Sequence, residues 1–471
     1  MLDTQNFDDL YNHAADFSFI EPPEESDTDP PSDDLWFSIA HDSADQNFDA
    51  AVQFLMNEHE FPGNRRLVKK CLKCILVNIG RLLRSERSSL LYRRSHGYYT
   101  KMRKDRLKNP LCITKAIIPV IDVLIRECYL EGATGYSSHY WDSKCSSIRP
   151  LAGMKAVFAK YDLSAAKSRK SEYAPLVVVK NAKKEIIYLR SKEIIQMEER
   201  VSMVNDLLNI TDIRLEPGTV LPQGICLDDI SLFRVFNNST IQNGGRFYGG
   251  FWQQLPSAMR SKIQINGKKT EELDFSGQHI SLLYAVLGHQ IPDNLRRDPY
   301  GCKTDSAFPR KLFKMAALTA INSDSPKKAW QSMKNDLRPK KKVKESQEAL
   351  NEKAWLRTLI RTQKEFDVLI EEFLTVHPLL REGLYKGWGV RLMRMDSDIA
   401  DDILCAMAKK GIAVLPVHDS FIVEKQHTEE LLAAMRAAYL ESQNPALLRA
   451  FTSIKDREKI IYDFTPAMAL S

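Results

Sequence analysis

The chain has 471 residues, 44% of them hydrophobic and 27% charged, with 67 Lys and Arg against 61 Asp and Glu. That length and balance fit a globular protein of two to four domains. No run of ~18 apolar residues offers a membrane span, and the acidic N-terminus lacks the basic start and apolar stretch of a signal peptide. The expectation is a cytoplasmic protein with no membrane partner. The 8 cysteines are too sparse for a disulfide framework. Cys71 and Cys74 form a lone Cys-x-x-Cys pair in a helical stretch, half a zinc site at most, and read as ordinary thiols.

The charge is unevenly placed. Residues 1–64 hold 16 Asp and Glu and no Lys or Arg, so the remainder carries 67 basic against 45 acidic residues, a net of +22. With Tyr98, Tyr99, Tyr140 and Trp141 interleaved among Arg and Lys, that excess is what a nucleic-acid surface requires. Residues 1–50, which include Glu21-Pro22-Pro23-Glu24-Glu25 and Asp29-Pro30-Pro31, read as a disordered acidic tail: a solubilising extension, an intramolecular DNA mimic, or a contact for partners.

Residues 51–160 read as a helical region. The apolar spacing from Asp49 to Leu91 is helical, with Arg65, Arg66, Lys69 and Lys70 among its polar positions. A basic segment, Tyr98 to Lys108, contains Lys101, Arg103 and Lys104; a break follows at Asn109-Pro110. Thr114 then N-caps an amphipathic segment that begins with Lys115 and runs to Tyr129. Pro119 falls within a turn or so of its start, where it costs least. A Gly- and Ser-containing excursion closes at Ile148-Arg149-Pro150. Helix, break, helix and hairpin is the plan of a winged helix-turn-helix that lays its second helix in the major groove of DNA. Any small helical domain with a trailing hairpin shares that plan.

Residues 161–230 read as a connector, with a hairpin over Val177 to Leu189 and a charged helix over Ser191 to Asn209. From Leu232 short apolar strands alternate with helices, so residues 231–471 form an α+β domain and the whole chain is multidomain α+β.

Three segments there suit chemistry. A strand ends at Asp274 in Glu271-Glu272-Leu273-Asp274-Phe275-Ser276-Gly277-Gln278-His279, and a strand end is a rigid mount for a metal-binding carboxylate. Val414 to Val423, apolar on both sides of a polar turn, reads as a hairpin with Asp419 at its tip. Two such carboxylates side by side suit a pair of Mg²⁺ ions ~3.5–4 Å apart, the arrangement that serves phosphoryl transfer. Arg310 and Lys314, spaced i and i+4, fall on one helix face, where they would clamp a triphosphate. Singly, each has a plain structural reading as an N-cap, a turn or a solvated face. Their order, after Asn243-Gly244-Gly245-Arg246 and Gln253-Gln254-Leu255-Pro256, carries more.

That ordered set resembles the palm and fingers of family A nucleic-acid polymerases, the group of bacterial DNA polymerase I and the single-subunit phage RNA polymerases. Gly245-Arg246 with Gln254-Leu255-Pro256 resembles the motif whose arginine contacts primer-template. Asp274-Phe275-Ser276 is similar to motif A, Arg310 and Lys314 to the start of motif B, and Val417-His418-Asp419 to motif C. Asp396 to Leu404 resembles the helix leading into motif C. The resemblance covers roughly residues 234 to 425.

It implies an antiparallel palm sheet with helical fingers, a thumb-like connector before them, and a minimal DNA polymerase serving replication of a phage, plasmid or integrated element. Asp274 and Asp419 would hold two Mg²⁺, Arg310 and Lys314 would meet the nucleoside triphosphate, and Arg246, Gln254 and His418 the primer-template. Phe275, Gln278, His279, Tyr300 and Asn322 would line the nucleotide. His279 stands where DNA-making members carry a glutamate gate against the ribose 2′-OH, and Asn322-Ser323 where a Tyr-Gly pair is usual. Ser276-Gly277-Gln278-His279 echoes a run in the phage RNA polymerases. Upstream there are no recognisable exonuclease carboxylate motifs, so no proofreading is expected. The Lys340-Lys341-Lys342-Val343-Lys344 run is a fingers loop, a template grip or a nuclear localisation signal. Two other functions fit the sequence: an RNA polymerase or primase on the same palm, and a non-catalytic winged-helix replication initiator with an inactive palm.

Overall fold

Leu35, Phe37 and Ile39 alternate with more exposed neighbours and are all buried, so residues 34–42 join the folded body instead of the expected tail. The computed structural model describes residues 34–85, 87–103, 105–137, 143–164, 168–222, 225–301, 306–339 and 346–442. Residues 1–33, Lys104, Tyr140, Trp141 and the Lys340–Lys344 run lie outside them.

The N-terminal body runs through β1 (Asp34–Trp36), β2 (His41–Asp42), α1 (Gln46–Glu58), α2 (Arg65–Arg84), β3 (Ser89–Tyr92), α3 (His96–Met102) and α4 (Ile117–Arg126). Then come β4 (Leu130–Ala133), β5 (Tyr136–Ser137), β6 (Ser143–Lys144), β7 (Ser146–Pro150), α5 (Ala152–Lys160) and β8 (Arg169–Lys170). Its main sheet has the order β1-β3-β7-β4, and β8 returns to pair with β2. Asp45 and Asn64 cap α1 and α2 by accepting from backbone N–H groups in the first turn. Cys71 and Cys74 face the core, and burial pushes the Cys71 thiol up to about 12.

Helix, turn, helix and hairpin follow one another, with two departures from the expected boundaries. The basic segment is helical only to Met102. Thr114 caps a turn ahead of the helix: its hydroxyl accepts from Ala116 N at 3.3 Å, and α4 starts at Ile117. Lys101, Arg103 and Lys115 are exposed, whereas the exposed Asp122 on α4 is tied to Arg94 at 2.7 and 2.8 Å.

Within residues 161–230 the expected hairpin and helix pack into the rest of the fold. β9 (Val177–Lys180) and β10 (Ile186–Ile187) make the expected hairpin, and Ser191 caps α6 (Lys192–Ile210). Val177 and Val179 pack against Ile194 and Met197 of α6, and Val178 packs on the opposite face against Leu107. A strand buried on both faces needs a sheet. β9 finds it by pairing in parallel with β12 (Phe233–Phe236), which pairs with β13 (Gly244–Tyr248), in the order β10-β9-β12-β13.

The third sheet is antiparallel throughout. It takes β11 (Ile213–Leu215), β14 (Ile263–Ile265), β15 (Lys268–Asp274), β16 (Val414–Val417) and β17 (Ser420–Glu424) in the order β11-β14-β15-β17-β16. Between β13 and β14 comes the short α7 (Ser257–Arg260). Between β15 and β16 come α8 (Gln278–Val286), α9 (Arg310–Asn322), α10 (Pro326–Asp336), α11 (Gln347–Leu359), α12 (Gln363–Val376) and α13 (Gly389–Ala408), and α14 (Thr428–Ser442) follows β17. Their apolar faces share the largest core of the molecule. The architecture is mixed α/β. Among the described residues no helix is long and apolar enough to cross a membrane.

Candidate active site

Two strand ends meet. The register of β15 with β17 sets Asp274 opposite Ser420, the residue after Asp419, and Phe275 N donates to Asp419 O at 3.4 Å. Two acidic residues separated by 145 positions in the sequence thus come together at the adjoining ends of two interior strands. His418 opens the two-residue turn at φ 59°. A left-handed conformation at a non-glycine residue costs ~1–3 kcal/mol, and such strain is kept where the surroundings fix it. Here Trp252 Nε1 and Gln253 Nε2 both donate to Pro416 O, at 2.9 and 3.0 Å. β16 is the edge strand, where a proline is tolerated, and these side chains close that edge. On the other side, Arg260 makes a two-pronged pair with Glu272 at 2.9 and 3.0 Å, and Ser420 Oγ donates to Glu272 at 2.6 Å.

The basic groups approach through Tyr300. Arg310 and Lys314 project from one face of α9, and each places its cation 5.8 Å from the centre of the Tyr300 ring. Burial raises the Tyr300 phenol, and the negative charges of Asp419 and Asp274 raise it further, so the same ring lies within the field of both carboxylates. Asp298 grips Arg310 with bonds of 2.6 and 2.7 Å, which lowers the Asp298 carboxyl. The 298–300 loop is anchored from below: His377 Nε2 is 2.7 Å from Pro299 O, and its Nδ1 is 3.0 Å from Tyr284 Oη. Gly277, at φ +60°, lets Pro299 approach; a Cβ there would sit 2.5 Å from the proline ring.

Behind Asp419 lies a buried ionic cluster. Asp396 Oδ2 accepts from Arg246 Nη2 at 2.5 Å and lies 3.0 Å from His279 Nε2. Burial pushes the Asp396 carboxyl up, but Arg246 and His279 outweigh it and hold the pKa at about 2. Asp419 is raised, chiefly by burial, with Arg246 opposing and Asp396 reinforcing.

The residues expected to contact substrates therefore divide. Asp274, Asp419, Tyr300, Arg310 and Lys314 converge. Arg246, Gln278 and His279 are buried, at 4%, 3% and 4% exposure, with Arg246 and His279 engaged on Asp396. Phe275 packs against Phe421 and Tyr439, and the His418 ring meets Tyr248 edge-on at 6.2 Å. Gln254 and Asn322 are exposed; Asn322 Nδ2 donates to Leu318 O at 2.8 Å near the end of α9. Sequence reasoning missed Asp396, Trp252, Gln253, Asp298 and His377 as supports. Only Asp396 had a signal, an acid at a core-facing position of α13, since which side chain meets which loop depends on packing.

Among the described residues there is no group of three or more His, Cys, Asp or Glu side chains arranged for a metal. Mg²⁺ is commonly held by one or two carboxylates completed by water and substrate phosphates, and the all-oxygen pair Asp274 and Asp419 fits that donor set. No family model, curated protein or solved structure matches the chain.

Proposed function

We propose that the chain is a template-directed nucleotidyltransferase, a minimal DNA polymerase of a replicating element without proofreading. Its sheet β11-β14-β15-β17-β16 would be the palm, α9 to α12 the fingers, and the N-terminal body a winged-helix DNA binder using Lys101, Arg103, Thr114 and Lys115. The observation that carries the reading is the convergence of Asp274 and Asp419 on adjoining strand ends with Arg310 and Lys314 across Tyr300. Paired acids beside paired bases match what phosphoryl transfer asks of a protein, which is positioning and charge stabilisation.

In this reading Arg310 and Lys314 draw the triphosphate against Tyr300, and Asp298 holds Arg310 in place. Asp274 and Asp419 would hold two Mg²⁺, which when bound supply charge neutralisation at the attacking and leaving oxygens. The primer 3′-oxygen forms the new bond to the α-phosphorus as the bond to pyrophosphate breaks. Arg246, fixed by Asp396, braces the hairpin from behind, while His418 and Gln254 face the primer-template side.

A second reading, RNA synthesis or priming on the same framework, is favoured by His279. Its Nε2 is committed to Asp396, and Asn322 brings no aromatic ring to the nucleotide. Primer extension on a primed DNA template with Mg²⁺, offering dNTPs and NTPs separately, tests both readings. Extension with either substrate, lost in Asp274→Ala and Asp419→Ala, is the expected result. No incorporation under any of these conditions would leave the non-catalytic initiator.

A further inference from the structure

We infer that the acidic residues 1–33 dock on the cationic face formed by Trp36, Arg93, Tyr98, Lys101 and Arg103, and that duplex DNA has to displace them to reach it. The displacement rests on the proposed function, which assigns Lys101 and Arg103 to DNA; the docking does not.

Residues 1–33 hold 10 Asp and Glu and no Lys or Arg, and 6 of those acids fall from Glu21 to Asp33. They lead directly into β1, where Asp34 accepts from Ser89 Oγ at 2.5 Å and the centre of the Trp36 ring lies 5.0 Å from the Arg93 guanidinium. Arg93 in turn adjoins α3. Its carbonyl accepts from Tyr99 Oη at 3.0 Å, and Ser95 Oγ caps the helix by accepting from Tyr98 N at 3.3 Å. Burial raises the Tyr98 phenol and the Arg93 charge opposes that, so one guanidinium lies within reach of both half-buried rings. Lys101 follows Tyr98 by three positions and is its neighbour on the helix surface.

From Arg93 to Arg103 the chain has 4 Arg and Lys and no acid. Arg94 is paired with Asp122, but among the described residues Arg93, Lys101 and Arg103 have no acid within ion-pair distance. Asp105 is engaged by the N–H groups of Leu107 and Lys108 at 3.1 and 3.0 Å. The other basic helix, α2, is already answered in part, since Asp49 of α1 lies 3.7 Å from Lys69 and 3.0 Å from Lys73. Reach is not limiting: residues 21–33 extend to at most ~45 Å, and α3 is ~10 Å long. Acids joined to the face by so short a connection meet it at an effective concentration on the order of mM, so individually weak contacts suffice. A row of carboxylates offers these cations the same charge as a row of phosphates, and salt weakens both.

Zero-length carbodiimide cross-linking of the full chain, without nucleic acid and read by mass spectrometry, tests the docking. Amide links from the acids of residues 21–33 to Lys101 are expected at low salt, in excess over links to Lys70 and Lys155, which are exposed elsewhere on the N-terminal body. They should fade by ~0.5 M salt, where screening is strong. Anisotropy of a fluorescent DNA duplex tests the displacement. The full chain with every Asp and Glu of residues 1–33 changed to Asn or Gln is expected to bind duplex about 10-fold more tightly than the parent at ~0.05 M salt, the gap closing as salt rises. In the background Lys101→Gln, Arg103→Gln, both on exposed positions, the same neutralisation should change duplex affinity by less than about 2-fold, because the shared cations are gone.

Links that reach Lys70 or Lys155 as readily as Lys101, or no links at all, overturn the docking. If links are absent while duplex binding still weakens in Lys101→Gln, Arg103→Gln, the inference fails and the DNA assignment of the face stands. Links to Lys101 together with equal duplex affinity for the acidic and the neutralised chain show the reverse: the docking holds, and DNA does not use this face.

Discussion

Asp419 and Asp274 differ in surroundings although they are neighbours. The first sits in a turn where burial raises its carboxyl, and the second is exposed at a strand end. If both hold the reacting phosphate's counter-charges, Asp274→Ala and Asp419→Ala should each lower incorporation by at least about 10³-fold, since several kcal/mol of charge stabilisation vanish. Gel shifts should show DNA binding retained, because phosphate contacts come from elsewhere on the body. An alanine variant that extends primers at the parental rate is not missing a metal ligand. Sugar choice makes a second test. His279 is held by Asp396 instead of standing free as a gate, so ribonucleotides should enter at a measurable fraction of the deoxyribonucleotide rate. Matched single-nucleotide incorporation showing selectivity above ~10⁴ would mean that some residue does exclude the 2′-OH. Asp396 itself predicts a pH dependence. Its carboxyl falls from 3.8 to about 2 on folding, so it contributes stability that is present above pH 3.8 and lost as pH falls toward 2. Asp396→Ala strands the buried Arg246 and should cost about 3–5 kcal/mol at pH 7. Urea unfolding should show a smaller loss for the variant than for the parent between pH 4 and pH 2.

At the scale of elements, the sequence made some pieces readable and hid their neighbours. The hairpin around Asp419, the helix bearing Arg310 and Lys314, and the Ser191-capped helix could be read because period, polar turn and cap residue all lie within a few positions. The partner of β9 could not. Its parallel match to β12 joins residues more than fifty positions apart, and Val177-Val178-Val179 declares only that both faces are covered. Residues 34–50 misled for the opposite reason: acidic composition dominates the stretch, while Leu35, Phe37, Ile39 and Phe48 bury enough apolar surface to order it. Gly245 was noticed for its place before Arg246, but its conformation explains it. At φ +96° it lies so close to Phe236 and Ser397 that a Cβ would come within 2.6 Å of both. Gly245→Ala should therefore cost on the order of 1–3 kcal/mol through backbone strain and displacement of packed neighbours. Thermal unfolding at an unchanged midpoint would contradict that contact.

At the scale of the whole molecule, the two bodies are joined by more than the chain. Cys226 is buried in the N-terminal core, whereas Ile225 and Ile230 on either side belong to the core of the C-terminal body. Between them Asp228 accepts from Arg84 Nη2 at 2.5 Å and Ser168 Oγ at 2.6 Å, and Asp229 meets His41 Nε2 at 2.8 Å. The backbone of Asp229 also accepts from Phe251 N at 2.6 Å, one residue from the Trp252 that closes the edge of β16. One short segment thus connects the N-terminal body to the support of the hairpin that carries Asp419. Asp228→Ala removes the carboxylate that accepts from both Arg84 and Ser168, a loss of about 2 kcal/mol for the charge-assisted bond. Because the bond joins two cores instead of stabilising either one, the expected effect is on cooperativity. Scanning calorimetry is expected to show one transition for the parent and two for the variant, with the variant's lower midpoint at least about 4 °C below the parent's for a body of this size. A variant that still melts in one transition at the parental midpoint would mean that the cores are coupled by packing alone and that the Arg84–Asp228 pair contributes nothing to holding them together.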